Sequence, residues 1–149
     1  MMNPSSQAPA VSHDLQMQVV LDDGNRVALS ATLHYDAHDP FAVSATFRTG
    51  EGDITWVFAR DLLRDGLFDM AGEGDIVIRP GHPSRGSVVS ITLSSPSGAA
   101  RIEGSRTALA AFVEEIYDVV PEGSEWVYLD METTIGELLS AEGGEPYTA

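Results

Sequence analysis

Apolar residues recur at every second position through much of the first sixty residues. Leu15, Met17, Val19 and Leu21 alternate with more polar neighbours, and after Asp22-Asp23-Gly24-Asn25 the alternation resumes at Val27, Leu29, Ala31, Leu33 and Tyr35. A period of two is the pattern of a half-buried strand. The acid-glycine turn between the runs makes them a hairpin that begins at about His13. Beyond Asp36-Ala37-His38-Asp39-Pro40, a third run (Phe41, Val43, Ala45, Phe47) and a fourth (Ile54, Trp56, Phe58) flank the turn Gly50-Glu51-Gly52-Asp53. The first half of the chain therefore predicts a four-stranded antiparallel meander, with Trp56 and Phe58 on its core face.

The period then changes. Arg60-Asp61-Leu62-Leu63-Arg64-Asp65-Gly66 joins helix formers to a glycine suited to the left-handed position just past a helix end, so a short helix leaves the fourth strand. Three more strands are expected at 75–79, 87–94 and 99–103, separated by the turn-rich segments Pro80–Gly86 and Ser95–Gly98. A long helix follows, with Ser105 as N-cap and Pro121 as its stop. Its apolar stripe is Leu109, Phe112, Val113, Ile116 and Val120. A last short helix is expected from Thr134, where Thr-x-x-Glu to Glu137 forms a capping box and Ile135, Leu138 and Leu139 form the apolar face. The predicted class is α+β and mostly antiparallel β. About seven strands fall in two blocks, packed as crossed sheets or an open barrel, with one long and two short helices. Residues 1–12 lack periodicity and read as a disordered tail, 13–141 as a single domain, and 142–149 as a frayed acidic tail.

Composition narrows the chemistry. The 149 residues contain no cysteine, and all eight basic residues are arginines against 23 acids, for a net charge of −15. Thiol nucleophiles, disulfide frameworks, Schiff-base lysines and a P-loop lysine are thereby excluded. The arginines are scattered singly along the sequence, and an acidic chain repels phosphate backbones, so no nucleic-acid partner is expected. No apolar run approaches the ~18 residues of a membrane span, and no export signal opens the chain. A soluble cytoplasmic protein without direct membrane insertion is the expectation. Two-thirds of the excess charge falls in residues 107–149, which hold ten acids and no base.

No residue pattern points to catalysis or to a cofactor. His34, Asp36, His38 and Asp39 lie within six residues, but a histidine on a strand face and one in a turn converge only through special loop geometry. A turn in which Asp36 and Asp39 bond local backbone N–H groups is the simpler reading. His13 and His82 have no partner nearby in sequence. Ser94-Ser95-Pro96-Ser97 lacks a nucleophile elbow, and acids inside Gly72-Glu73-Gly74-Asp75 oppose an anion loop. Catalytic, cofactor and metal residues are accordingly assigned to none. Glu114, Glu115 and Asp118 stand out because they occupy the negative end of the long helix, where each acid costs about 0.3 kcal/mol. Arginines of a partner would offset that cost; a solvated face is the alternative.

A longer pattern joins these pieces. Tyr35-Asp36…Asp39-Pro40-Phe41-Ala42-Val43…Ala45-Thr46-Phe47 is followed by Trp56-Val57-Phe58-Ala59-Arg60-Asp61-Leu62-Leu63 and Gly66. Gly74–Pro80, Leu93–Ala99 and Val119–Glu125 come next, in order. The set resembles the SsgA-like family of actinobacterial sporulation and cell-division regulators, from about His13 to Leu139, and is most similar to its SsgB branch. The resemblance implies a Whirly-like fold and a small homo-oligomer, a trimer. It also implies a non-catalytic role at the division septum, marking septum sites, recruiting the tubulin-like protein FtsZ and contacting other SsgA-like division proteins. The family's long helix often carries a basic pair where this chain has Glu114-Glu115. The competing reading is a Whirly-type single-stranded nucleic-acid binder, which the charge opposes because such grooves need a positive track. Arg60 and Arg64 on the short helix are candidate contacts for a partner; pairing with Asp61 or Asp65 is the structural alternative.

Overall fold

The computed structural model describes residues 9–129. Its strands are β1 (Ala10–Val20), β2 (Arg26–Asp36), β3 (Ala42–Thr49), β4 (Gly52–Ala59), β5 (Ile76–Pro80), β6 (Val88–Ser95) and β7 (Gly98–Ser105). Two helices, α1 (Arg60–Gly66) and α2 (Arg106–Val119), and a 3-10 turn at Pro83–Arg85 complete it, with helical residues resuming at 125–129. The expected helix at Thr134, the tail at 142–149 and the first eight residues lie outside the described residues.

The two blocks of strands are not two sheets. They form one antiparallel sheet in the order β4-β3-β2-β1-β7-β6-β5, curled into a half-barrel. β1 belongs to both blocks. It pairs with β2 along its whole length, from Ala10 opposite Asp36 to Val20 opposite Arg26, yet meets β7 only from Gln18 opposite Glu103 to Val20 opposite Arg101. The rest of β1 diverges from β7, and α2 lies against both strands and β6. Of the two packings expected from the sequence, crossed sheets or an open barrel, strand pairing through β1 selects the open barrel.

The alternation holds along β2, β3 and β6, whose odd-numbered apolar residues supply most of the core: Leu29, Ala31, Leu33 and Tyr35; Val43, Ala45 and Phe47; Val89, Ile91 and Leu93. Onto that face α2 lowers Leu109, Phe112, Val113 and Ile116. The Ser105 hydroxyl accepts the Ala108 N–H at 3.1 Å as the N-cap, and Pro121 follows Val120 at the other end.

Three local expectations change. β1 starts three residues before His13, because Val11 is buried opposite Tyr35 and extends the apolar alternation into the supposed tail. Trp56 is only half-buried: β4 is an edge strand pairing with β3 alone, so its inner face is covered on one side. Gly66 is the last residue of α1 and does not have a positive φ; Leu67, still right-handed, is the C-cap. Glycine is required there by close approach. A Cβ on Gly66 would lie 2.6 Å from the Ile78 Cβ and 2.9 Å from its carbonyl oxygen, so the small residue lets α1 press on β5.

Candidate functional site

Arg60 is the first residue of α1 and follows an extended Ala59. That position turns its side chain inward toward the end of α2. It is 0% exposed. One terminal nitrogen donates to Glu125 Oε2 at 2.6 Å, and the other donates to the Val120 carbonyl at 2.8 Å and the Tyr35 hydroxyl at 3.3 Å. The guanidinium carbon sits 3.9 Å from the centre of the Tyr117 ring, where the negative ring face attracts a cation. Arg60 therefore satisfies a carbonyl at the negative end of α2 and neutralises a buried carboxylate. The expectation of a surface contact through Arg60 is corrected: its partners are internal, and they are neither Asp61 nor Asp65.

Glu125 is held from its other side by the Gly123 N–H, which donates at 2.9 Å. Burial raises its pKa, but the Arg60 hydrogen bond and the backbone N–H groups outweigh that, and the carboxyl stays below its ordinary value. Burial also pushes Tyr35 up to about 12, partly opposed by the positive charge of Arg60. Tyr117 is raised as well, by burial and then by donating its hydroxyl to Asp61. Both phenols are neutral donors at physiological pH.

Arg64, one turn after Arg60, stays at the surface. It pairs with Asp65 and Glu122, each at 3.1 Å, and lies 3.7 Å from Asp61. Here the pairing alternative holds, with Glu122 added by the chain that follows α2. Of the three acids on α2, Glu115 meets His13 Nε2 at 2.7 Å, and His13 in turn packs edge-on against Phe112. Glu114 and Asp118 are exposed and have no hydrogen bond or ion pair among the described residues. His34 and His38 do not converge: His34 bonds Ser12 Oγ at 2.7 Å, whereas His38 Nδ1 lies 3.6 Å from Asp36. Asp36 acts as the turn reading expects, accepting the His38 N–H at 2.8 Å. Asp39 takes part through its carbonyl, which accepts from Ala42 N.

Around this end of the molecule Phe41 and Trp126 touch edge to face, and both are exposed, as are Phe68 and Met70 beyond α1. A second apolar surface opens where the half-barrel is uncovered. It is a groove of about 560 Å³ between the two blocks, lined by Val19, Phe47, Ile54, Trp56, Leu93 and Ile102.

The buried ion pair was not anticipated from residue patterns, although both members stand in the sequence blocks that carry the family resemblance. Arg60 lies in Trp56–Leu63 and Glu125 closes Val119–Glu125. The comparison with family models bears directly on those blocks. Residues 29–125 match the model described as "Streptomyces sporulation and cell division protein, SsgA". The chain belongs to the SsgA family. Relatives within it include the sporulation-specific cell division protein SsgB of Saccharopolyspora erythraea, 48% identical over 76% of this chain and 80% of that protein. SsgB of Streptomyces coelicolor is 39% identical over 87% of this chain and 96% of its own length. The crystal structure of an SsgA-like sporulation-specific cell division protein from Thermobifida fusca superposes with a TM-score of 0.82 at 34% identity, covering 92% of this chain and 98% of that one. In this chain, that fold carries the Arg60 clamp and the open groove.

Proposed function

We propose that this SsgA-family protein is a non-catalytic regulator of sporulation-linked cell division that marks septum sites and recruits the tubulin-like protein FtsZ. The observation that carries this reading is the family match across residues 29–125, joined by relatives named as sporulation-specific cell division proteins. The family is one of division proteins, not of enzymes. No helix among the described residues is long and apolar enough to cross a membrane. Other SsgA-like division proteins are further partners, and the protein acts as a homo-oligomer.

Arg64 replaces the Arg60–Arg64 pair as the arginine of the FtsZ contact, because only Arg64 reaches the surface. It lies beside the Tyr117 ring at 5.2 Å, and arginine with aromatic neighbours is the composition favoured at interface hot spots. Glu114 and Asp118 flank the contact as exposed, uncompensated acids. Co-sedimentation with FtsZ polymers tests both levels. Pelleting with FtsZ that falls about tenfold in Arg64→Ala supports the contact. Undiminished pelleting of that variant removes Arg64 from the interface, and failure of the wild type to pellet at any salt concentration removes direct recruitment.

A further inference from the structure

The eight arginines divide between two kinds of surroundings. Arg48 donates to Thr32 Oγ1, Arg60 to Glu125, Arg64 to acids, and Arg106 to the Leu67 carbonyl. The other four, scattered in sequence at positions 26, 79, 85 and 101, line one cleft of about 530 Å³ on the sheet face opposite the core. That volume lies within the range of small-molecule sites. Register explains the convergence: Arg79 stands opposite Ser90, Ser90 opposite Glu103, and Val20 opposite both Arg101 and Arg26. The segment between β5 and β6 contributes Arg85 and His82 to the cleft wall.

The charges in this cleft do not cancel. Glu103, itself buried, accepts from Arg26 at 3.1 Å and from Arg85 at 3.2 Å. Arg79 and Arg101 have no hydrogen bond or ion pair among the described residues. On the cleft floor Ser90 is 5% exposed, and its buried hydroxyl has no hydrogen-bond partner. A buried hydroxyl without a partner is uncommon in native proteins and calls for an explanation. Two free guanidinium charges and one unsatisfied hydroxyl therefore occupy a single cleft.

We propose that this cleft binds a phosphoryl dianion, held by Arg79 and Arg101 with the Ser90 hydroxyl as an additional donor. Two positive charges balance a phosphate monoester, and the planar fork of arginine matches its oxygens. The ligand is compact. A long polyanion would meet the field of a chain of charge −15, whereas a small phosphate compound feels chiefly the local arginines. Free phosphate and a small organic phosphate share this chemistry.

Titration of the full chain with inorganic phosphate and with glycerol phosphate, followed by the amide resonances of Ser90 and Arg101 at constant ionic strength, tests the site. Saturable shifts are expected for the wild type, with affinity about tenfold weaker in Arg79→Gln and Arg101→Gln. Tighter binding of glycerol phosphate assigns an organic phosphate; equal binding assigns the free ion, and either supports the site. Ser90→Ala removes a buried unpaired hydroxyl, so it should keep the melting temperature of the ligand-free protein while weakening phosphate. Equal shifts with chloride, succinate binding as tightly as phosphate, or phosphate affinity unchanged in both arginine variants would overturn the proposal.

Discussion

Arg60 and Glu125 show how one side chain ties distant parts of the chain together. The guanidinium joins the start of α1, the last carbonyls of α2, the Tyr35 hydroxyl on β2 and a carboxylate beyond Pro121. Removing it leaves Glu125 charged, buried and unpaired, so Arg60→Ala should cost about 3–5 kcal/mol in urea unfolding. Lysine should restore little, since a single ammonium lacks the fork that reaches Glu125 and Val120 together. A pH dependence follows from the depressed pKa of Glu125. The stabilisation is complete above the ordinary value of 4.5 and is lost as pH falls through the lower folded-state value. Unfolding midpoints should therefore drop below about pH 4.5, less steeply in Glu125→Gln than in the wild type. A parallel slope in both would assign the acid sensitivity to other carboxylates, of which Glu103, paired with Arg26 and Arg85, is the next candidate.

The helix α2 derives its position from one apolar stripe and one gap. Its stripe is fully used: Leu109, Phe112 and Ile116 are each buried to 0% exposure. The gap exists because β1 and β7 separate beyond Gln18, and Gly104 on β7 leaves room there for Met17, whose Cε would lie 2.5 Å from an added Cβ. Phe112 fills the centre and supports the His13 ring. Phe112→Ala should cost about 3–5 kcal/mol in thermal or urea unfolding. An unchanged melting temperature would mean that the helix can shift to close the cavity.

At the scale of the molecule, the half-barrel leaves an apolar groove and, among the described residues, an unpaired β4 edge on the same side. Ile54 on β4 is 50% exposed and Trp56 is half-buried beside it. A groove of this kind marks an interaction surface, and an unpaired strand edge offers backbone donors and acceptors to a neighbour. A second copy of the chain is the occupant consistent with the proposed homo-oligomer. Light scattering at tens of micromolar should give a mass above that of one chain, and Ile54→Asp should reduce it to the monomer without lowering the melting temperature of the isolated fold. A monomeric wild type would count against the oligomer, and an oligomeric Ile54→Asp variant would place the interface elsewhere.

Local patterning alone determined the seven strands to within a few residues, and α1 and α2, because alternation and the stripe of α2 report directly which face meets the core; the helical residues at 125–129 and the early start of β1 were not read from it. Ser105 and Pro121 marked the ends of α2 for the same local reason. The sequence blocks from Tyr35 to Glu125 also carried the family, as the match over residues 29–125 shows. Tertiary structure decided the rest. No local rule distinguishes one sheet joined through the last residues of β1 from two crossed sheets, as strand pairing between distant segments leaves no periodicity. Arg60 and Arg64 are one helical turn apart in similar surroundings of acid and leucine, yet one is fully buried and the other reaches the surface. That difference depends on the end of α2, more than fifty residues away. The four arginines of the cleft are likewise single residues in sequence. Antiparallel register and the segment between β5 and β6 bring them together, and only that arrangement turns part of a strongly acidic chain into a candidate anion site.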